Sequence, residues 1–261
     1  MKGLAVCRYD ETEPSAAHPI DGHVVDGALV ARMLGPADYS LWLVELSIEA
    51  NAEIHLPDVH GDEALYVCSG ELDVGGRSCP AGGSVVIESE AHPVVRTAVP
   101  SVVLHMGPVE PSATSRSGTA ERRSSVHIVG PEGWLAAISP GRASRYYADS
   151  TCEGCDLTLL FTSRDRAYVS PTHSHSVDEL IHVLEGPIRL GAHTLDAGDT
   201  LAVAADRRYG FRADDGFAFL NYRSAASVQT VERGSPPIVE GGLVNGFSPI
   251  PDGAVDIRVE G

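Results

Sequence analysis

The chain has 261 residues, of which 43% are hydrophobic and 21% are charged, values typical of a globular protein with a sizeable core. This length suits one large domain or two of about 100–130 residues each. The formal net charge is −17 at pH 7. A surface this acidic repels phosphate backbones and anionic membranes, so we expect a small-molecule partner and neither nucleic acid nor a membrane.

No apolar stretch approaches the roughly 20 residues that a membrane-spanning helix needs. The first residues also lack the hydrophobic stretch of a signal peptide. From these two observations we predict a cytoplasmic protein.

Short strand-like segments dominate the chain and come in two sets. The first set lies at residues 41–48, 64–68, 84–87 and 101–105, in apolar or alternating runs bounded by Gly, Pro, Asn and Asp. The same spacing returns at residues 156–162, 179–184, 200–204 and 217–222. Helical periodicity is nearly absent, since only residues 29–34 suggest a turn or two of helix. The pattern predicts an all-β fold.

A polar stretch between the two sets indicates a linker. Residues 108–126 are rich in Pro, Ser, Gly and charge and have almost no apolar content. They separate a first half, residues 1–107, from a second half, residues 127–224. The tail, residues 225–261, is rich in Pro and Gly and cannot form its own core. We expect it to lie over one half or over a partner subunit, or to be partly disordered.

The two halves resemble each other in three blocks that occur in the same order. EALYVCSGEL at 63–72 parallels ELIHVLEGPI at 179–188, AGGSVV at 81–86 parallels AGDTLA at 197–202, and SVVLH at 101–105 parallels FAFLN at 217–221. This order indicates a duplicated β unit. Closing each unit into a barrel or a sandwich would remove exposed sheet edges.

The five cysteines are an odd number and too few to hold a scaffold of this length by disulfides, so they favour reduced thiols. Cys152 and Cys155 form a CxxC pair, but the sequence lacks the second pair or the two histidines that a structural zinc site normally adds. A strand-like run follows the pair, whereas a redox dithiol needs a helix there. We interpret both as incidental thiols, with a functional role as the alternative.

The second half contains the residues that carry chemistry. His173 and His175 are two apart, so on an extended chain they project from the same face. Glu179 opens the next predicted strand, from which it can point to the same place. Two imidazoles and one carboxylate form a site suited to Fe(II), Mn(II), Ni(II) or Zn(II), with positions left open for substrate or oxygen. The alternative is a pair of histidines that decorates a surface loop.

This motif resembles the first motif of the cupin superfamily, in which HxH is followed by Glu and, after six residues, Gly. Residues 173–186 match it in full, although Ala167 replaces the leading glycine. In the second motif the turn at Gly198 is kept, but Tyr209 stands where the family usually places a fourth, histidine ligand. The resemblance implies two tandem double-stranded β-helix (jelly-roll) barrels, a bicupin, with the metal in the second barrel.

The first half keeps only part of the motif. Glu63 and Gly70 have the expected spacing, but Pro57 and Val59 stand at the HxH positions. We predict a structural barrel that has lost its metal. A site made from His60, Glu63 and His92 is the alternative.

Several chemistries are open to such a protein, since a fold alone does not choose among them. The leading hypothesis is an Fe(II)-dependent, dioxygenase-like oxidoreductase that acts on a small organic molecule. Its ligands would be His173, His175 and Glu179, and Tyr209 would act as a proton donor or a hydrogen-bond partner. The second is an isomerase, cyclase, lyase or hydrolase that uses Mn(II), Ni(II) or Zn(II) as a Lewis acid. The third is a non-enzymatic binding or sensing module.

Further expectations concern the surroundings of the site. Arg207 and Arg208 flank Tyr209, and either one holds a substrate carboxylate or both lie at the surface. His182 is expected to turn away from the site because it lies three residues after Glu179 on a strand. Alternation predicts an apolar pocket lined by Phe161, Ile181, Val183, Val203, Phe211 and Phe219. We also expect a homodimer.

Overall fold

The computed structural model describes residues 3–36, 38–111, 124–149, 152, 154–231, 238–239, 247–249 and 254–258. Within these ranges the backbone forms 28 short strands and one 3-10 turn, Tyr9–Glu11, and has no α-helix. The all-β prediction is therefore confirmed. The part of the chain that is described contains no helix long and apolar enough to cross a bilayer.

Strands β1 to β12 belong to the first half and are Leu4–Cys7, Pro14–Ser15, Val24–Asp26, Leu29–Met33, Leu41–Ile48, Glu53–His55, Glu63–Ser69, Glu71–Val74, Arg77–Pro80, Ser84–Ile87, Val94–Thr97 and Ser101–Pro108. Strands β13 to β28 follow and are Ser125–Val129, Leu135–Ser139, Arg142–Ala148, Thr158–Arg164, Tyr168–Val169, Ser174–His175, Glu179–Glu185, Ile188–Leu190, His193–Leu195, Thr200–Val203, Arg212–Ala213, Phe217–Arg223, Val228–Thr230, Ile238–Val239, Ser248–Pro249 and Ala254–Arg258.

The segment expected to form a turn or two of helix is strand β4, so that expectation was wrong. Leu29 and Ala31 are buried and Val30 between them is exposed, which is the two-residue alternation of a strand. Pairing with β5 supplies the backbone hydrogen bonds. Tertiary pairing of this kind overrides a weak local preference.

Each half contains two facing sheets around a core of its own, and the second half also contains a small three-stranded sheet, β18-β25-β26. In the first half an eight-stranded sheet, in the order β2-β4-β5-β12-β7-β10-β13-β28, faces a five-stranded sheet, in the order β3-β6-β11-β8-β9. In the second half an eight-stranded sheet, in the order β1-β22-β19-β24-β16-β15-β14-β27, faces the four-stranded sheet β17-β23-β20-β21. The apolar side chains of each facing pair form one cluster.

The two large sheets also pack against each other, and a third apolar cluster lies between them. Leu43 and Leu104 reach it from the first half, and Leu180 and Leu220 reach it from the second. On β5 the neighbouring Val44 and Leu46 turn instead into the core of the first half. The central strands are thus buried on both faces, which is why they appear in the sequence as nearly continuous apolar runs.

The halves exchange strands, so they do not divide at the ends of the predicted domains. Strand β1 pairs with β22 of the second half, and β13, which begins inside the predicted linker at Ser125, pairs with β10 of the first. Residues 112–123 of the predicted linker lie outside the described residues. Parts of the tail return to the sheets, because β28 pairs with β13 and β27 pairs with β14.

The sequence repeat corresponds to a structural repeat. Strands β7, β10 and β12 have the same order and pairing in their sheet as β19, β22 and β24 have in theirs. The turns before β10 and β22 place Gly82 and Gly198 at φ +83° and +94°, where a side chain would be strained. The repeated AGG and AGD blocks therefore mark the same turn in both halves.

Candidate metal and substrate site

A cavity of about 320 Å³ opens between the facing sheets of the second half. His173, His175 and Tyr209 lie on its wall together with Asn221 and Arg223. Backbone hydrogen bonds in both directions join His173 to Tyr209, each 2.8 Å long. The structure therefore brings Tyr209 beside the two histidines predicted as ligands.

Hydrogen bonds fix the protonation of His173. Its Nδ1 lies 2.8 Å from the carbonyl oxygen of Pro171, so Nδ1 carries a proton and donates it. Burial lowers the pKa of His173, against the opposing effect of that carbonyl. In the resulting neutral ring, Nε2 has its lone pair available for a metal.

His175 presents its Nε2 in the same way. The Arg223 guanidinium can only donate, and it lies 3.2 Å from the Nε2 atom of His175, which therefore accepts. The same nitrogen is 3.8 Å from Oε1 of Glu179. Both imidazoles thus have the tautomer that a metal ligand requires.

Glu179 is fully buried, and two side chains orient its Oε2 atom. Asn221 and Arg223 donate to its Oε2 at 3.2 Å and 3.0 Å. Oε1 is the oxygen that is closer to His175. The chemistry of this donor set fits a divalent ion, and the Arg223 guanidinium is the group that must give way to it.

The donor atoms of His173, His175 and Glu179 lie farther apart than those of two other groups in the described residues. His23, Glu63 and His105, and separately Glu88, His127, Cys152 and Cys155, place donor atoms within 4.8 Å of one another, whereas the trio does not. The rings of His173 and His175 are 5.1 Å apart between centroids. A single ion in the second barrel therefore requires these side chains to draw together.

Three arginines give the cavity a positive lining that sequence reasoning missed. Arg142 and Arg164 lie opposite each other on β15 and β16, and Arg223 ends β24. Nε of Arg164 is buried and has no hydrogen-bond partner among the described residues. Its guanidinium carbon lies 3.9 Å above the centre of the Tyr168 ring. Three guanidinium groups on one small cavity favour a carboxylate ligand.

Other expectations around the cavity are met in part. Arg207 and Arg208 are exposed, and Arg208 donates to backbone carbonyls. Of the two alternatives offered for them, the structure therefore favours a location at the surface. Ile181, Phe211 and Phe219 line the cavity as predicted, and Val183 and Val203 lie in the adjacent core. Phe161 was predicted one position out of register: Leu160 lines the cavity, and Phe161 packs towards the other half.

The first barrel contains a buried network built on Glu63. His105 and His23 place their Nε2 atoms 2.8 Å and 3.0 Å from its Oε2. Burial alone would raise the pKa of Glu63, but these hydrogen bonds outweigh it and lower the pKa to about 2. An ionised carboxylate can only accept, so both Nε2 atoms carry protons.

The network continues through neutral rings. Nε2 of His18 lies 3.1 Å from Nδ1 of His105, and Nδ1 of His18 accepts the N–H of Ile20. Burial lowers the pKa of His105 and lowers that of His18 to about 2. Both Nε2 atoms that face Glu63 are thus used as donors. This arrangement satisfies the carboxylate with protein groups, although the same three residues place donor atoms within 4.8 Å of one another. The loss of a metal from this barrel stays a prediction.

The alternative trio of His60, Glu63 and His92 is not formed. Both nitrogens of His60 contact backbone carbonyl oxygens, those of Gly61 and Ala91, at 2.7 Å and 2.8 Å. His92 packs edge-on against His60. Strand register explains the different grouping, because His105 in β12 occupies the position of Asn221 in β24.

The interpretation of Cys152 and Cys155 as incidental thiols is corrected by the structure, which joins the two sulfur atoms in a disulfide. Cys7, Cys68 and Cys79 are free. The sequence offered only their spacing, which does not distinguish a bridge from two unrelated thiols.

No protein-family model matches the sequence, and no curated protein matches it. Solved structures do. A protein provisionally named as glyoxylate-induced from Pseudomonas aeruginosa is 18% identical, with a TM-score of 0.62 over 85% of this chain and 88% of that one. One provisionally named a dioxygenase from Nostoc punctiforme is 11% identical, with a TM-score of 0.62 over 86% and 83%. Oxalate decarboxylase from Bacillus subtilis is 14% identical, with a TM-score of 0.57 over 85% and 77%. These are cupin structures, and the likeness shows that the chain has the cupin fold.

Proposed function

We propose that the protein is a metal-dependent enzyme that acts on a small carboxylate in the cavity of the second barrel. One observation carries the proposal: His173 and His175 have the tautomers of metal ligands beside Glu179, on the wall of a cavity that also contains three arginines. The site thus combines a donor set for a divalent ion with a receptor for an anion.

The charge of the cavity supports a carboxylate substrate. The whole chain has a net charge of −17. The cavity reverses that sign locally, because Arg142 and Arg164 add two positive charges to an Arg223 that Glu179 already balances. Arg142 and Arg164 are cross-strand neighbours, and like charges in that relation repel unless an anion lies between them. A cavity of about 320 Å³ is at the small end for ligand pockets and suits a compact metabolite.

The residues around the cavity each have a defined part in this proposal. Arg142 and Arg164 bind the substrate carboxylate, and Arg223 holds Glu179 in place until a metal or substrate takes over its contacts. Tyr209 donates a proton or a hydrogen bond to a substrate oxygen. A bound divalent ion would supply Lewis acidity or a position for dioxygen.

The leading hypothesis remains Fe(II) and an oxidoreductase of the dioxygenase kind. Lewis-acid chemistry with Mn(II), Ni(II) or Zn(II) is the second candidate. Two structural neighbours named above are an oxalate decarboxylase and a protein provisionally named a dioxygenase, and these names support a small acid and oxygen chemistry respectively. A cytoplasmic location, a homodimer and the absence of nucleic-acid partners stay predictions.

The first test is the metal content of anaerobically purified protein beside His173→Ala. We expect a metal that the variant loses, and wild-type turnover of a small carboxylate that stops in the variant. Oxygen uptake during turnover identifies the oxidoreductase, and turnover without it identifies Lewis-acid chemistry. His193→Ala is the control, since His193 is exposed at the start of β21.

If the wild-type protein and His173→Ala bind Fe(II), Mn(II), Ni(II) and Zn(II) equally, the assignment of this site is wrong. If neither binds any of them at that site, the third hypothesis, a binding module for small anions, replaces the enzyme.

A further inference from the structure

Four side chains with metal-binding atoms meet where the two halves join, away from the cavity. Glu88 directly follows β10, His127 lies in β13, and Cys152 and Cys155 lie between β15 and β16. One donor atom from each lies within 4.8 Å of the other three. The group unites two sulfurs, one imidazole nitrogen and one carboxylate oxygen.

Glu88 and His127 are oriented by their neighbours. Nε2 of His127 lies 3.0 Å from Oε1 of Glu88 and 3.8 Å from the sulfur of Cys152. The other carboxylate oxygen of Glu88 accepts the backbone N–H of Ser125 at 2.9 Å. Glu88 is buried, with 3% of its surface exposed. The backbone therefore holds this carboxylate with Oε1 turned towards the imidazole and the sulfurs, as an outer contact orients a metal ligand.

The surroundings of Cys152 would stabilise a charged sulfur. The backbone N–H of Cys155 donates to the sulfur of Cys152 at 3.2 Å, and such a hydrogen bond favours the thiolate once the disulfide is reduced. A Cβ at Gly154 would collide with Oε1 of Glu88. Glycine at this position thus allows the segment to approach the carboxylate closely.

We propose that the reduced protein binds one zinc ion through Glu88, His127, Cys152 and Cys155. Two sulfurs with one nitrogen and one oxygen suit zinc, which is borderline soft and prefers four tetrahedral ligands. Four protein ligands leave no position for a substrate, so this site is structural. Reduction of the disulfide by a thiol or a phosphine adds two electrons and two protons, and the zinc ion then displaces one proton from each thiol.

The position of the site gives the ion a mechanical role. His127 belongs to the large sheet of the first half and Glu88 directly follows one of its strands, whereas the cysteines follow a strand of the second half. Asp62 links the same segments, since its carboxylate accepts the N–H groups of Ser89 and Asp156 at 2.9 Å and 2.6 Å. A zinc ion here cross-links the two halves, and its binding free energy adds to the stability of the folded protein.

Cobalt substitution tests the proposal on the full chain. Metal-free protein reduced with a phosphine is titrated with Co(II) and then with Zn(II). We expect near-ultraviolet sulfur-to-cobalt absorption and the intense visible bands of tetrahedral Co(II), both bleached by one equivalent of Zn(II). The same zinc addition raises the melting temperature of the reduced protein.

Matched variants separate this site from the cavity. The bands persist in His173→Ala and in Cys68→Ser, which removes an exposed free thiol, and they vanish in the Cys152→Ser, Cys155→Ser double variant. His127→Asn keeps both thiols and weakens Co(II) binding at least about tenfold, because even an outer contact of a metal is worth 10–100-fold.

The proposal is overturned if reduced protein with both thiols titratable shows no thiolate bands with Co(II). It is also overturned if the bands survive in the double variant, or if His127→Asn binds Co(II) as tightly as the wild type. Metal at His173 is neither required nor excluded by these outcomes, so the two sites fail or succeed separately.

Discussion

His182 is buried on β19, three residues after Glu179, and its Nδ1 lies 3.0 Å from the hydroxyl oxygen of Thr200. As expected, it faces away from the cavity. Burial lowers its pKa to about 4, against the opposing charge of Asp199. The ring is thus neutral in the folded protein at neutral pH.

This shift predicts a loss of stability in acid. A histidine whose pKa falls on folding contributes stability that is fully present above its unfolded pKa, about 6.5, and is lost as the pH falls towards the folded value. The gap corresponds to at most about 3 kcal/mol. In urea unfolding between about pH 7 and pH 4, His182→Gln should lose less stability than the wild type, by up to that amount.

Exposed His193 provides the control, because His193→Gln should follow the wild-type pH dependence. Equal pH slopes for His182→Gln and the wild type would show that the pKa of His182 does not fall on folding.

At the scale of elements, strands β15 and β16 place Arg142 directly opposite Arg164. Like charges in this relation destabilise a sheet by a fraction of a kcal/mol up to about 1 kcal/mol. An anion bound between them converts the repulsion into two attractive contacts. The pair is therefore expected to respond to carboxylates.

We predict that a small dicarboxylate such as oxalate raises the melting temperature of the wild type, and that this shift shrinks with added salt. Arg142→Gln and Arg164→Gln should each lose most of the shift. Without ligand Arg142→Gln should remain at least as stable as the wild type, whereas Arg164→Gln also loses the contact with the Tyr168 ring. Arg189→Gln is the matched control, since Arg189 is exposed and paired with Asp214. An undiminished shift in both cavity variants would rule out these arginines as the anion site.

The strand exchange is a second feature of this scale. Strand β1 lies at the edge of the second large sheet, and β13 lies between β10 and β28 in the first, so each large sheet contains a strand from the beginning of the other half. The local pattern predicted neither strand, and it placed the first residues of β13 in the linker. It contains no information on the sheet that such a segment joins.

At the scale of the whole molecule, the apolar cluster between the two large sheets decides how the halves unfold. It is formed by buried side chains from both halves, among them Leu104 and Leu220. A shared core of this kind couples the halves, so we expect them to unfold together.

Truncation in the shared core tests this coupling. Leu104→Ala and Leu220→Ala should each cost about 2–5 kcal/mol and should lower the stability of both halves equally. The two tryptophans report on the halves separately, since Trp42 lies in the first core and Trp134 precedes β14. In Trp134→Phe and Trp42→Phe backgrounds the fluorescence transitions should coincide. Two separate midpoints would show that the halves are independent.

The sequence by itself determined the all-β class, eight of the strands, the repeat and the segment that contains His173, His175 and Glu179, because alternation and local spacing are properties of neighbouring residues. Tyr209 followed from its position in a known motif. The all-β class and the cupin fold inferred from these features are confirmed.

Only the tertiary structure decided which distant residues meet. Arg142 and Arg164 face one cavity, Glu63 is joined by His23 and His105, and the pair at Cys152 meets Glu88 and His127. These groups depend on strand register and on sheets packing face to face. Both are set by long-range pairing, and a shift of one residue reverses every side chain, as Phe161 shows.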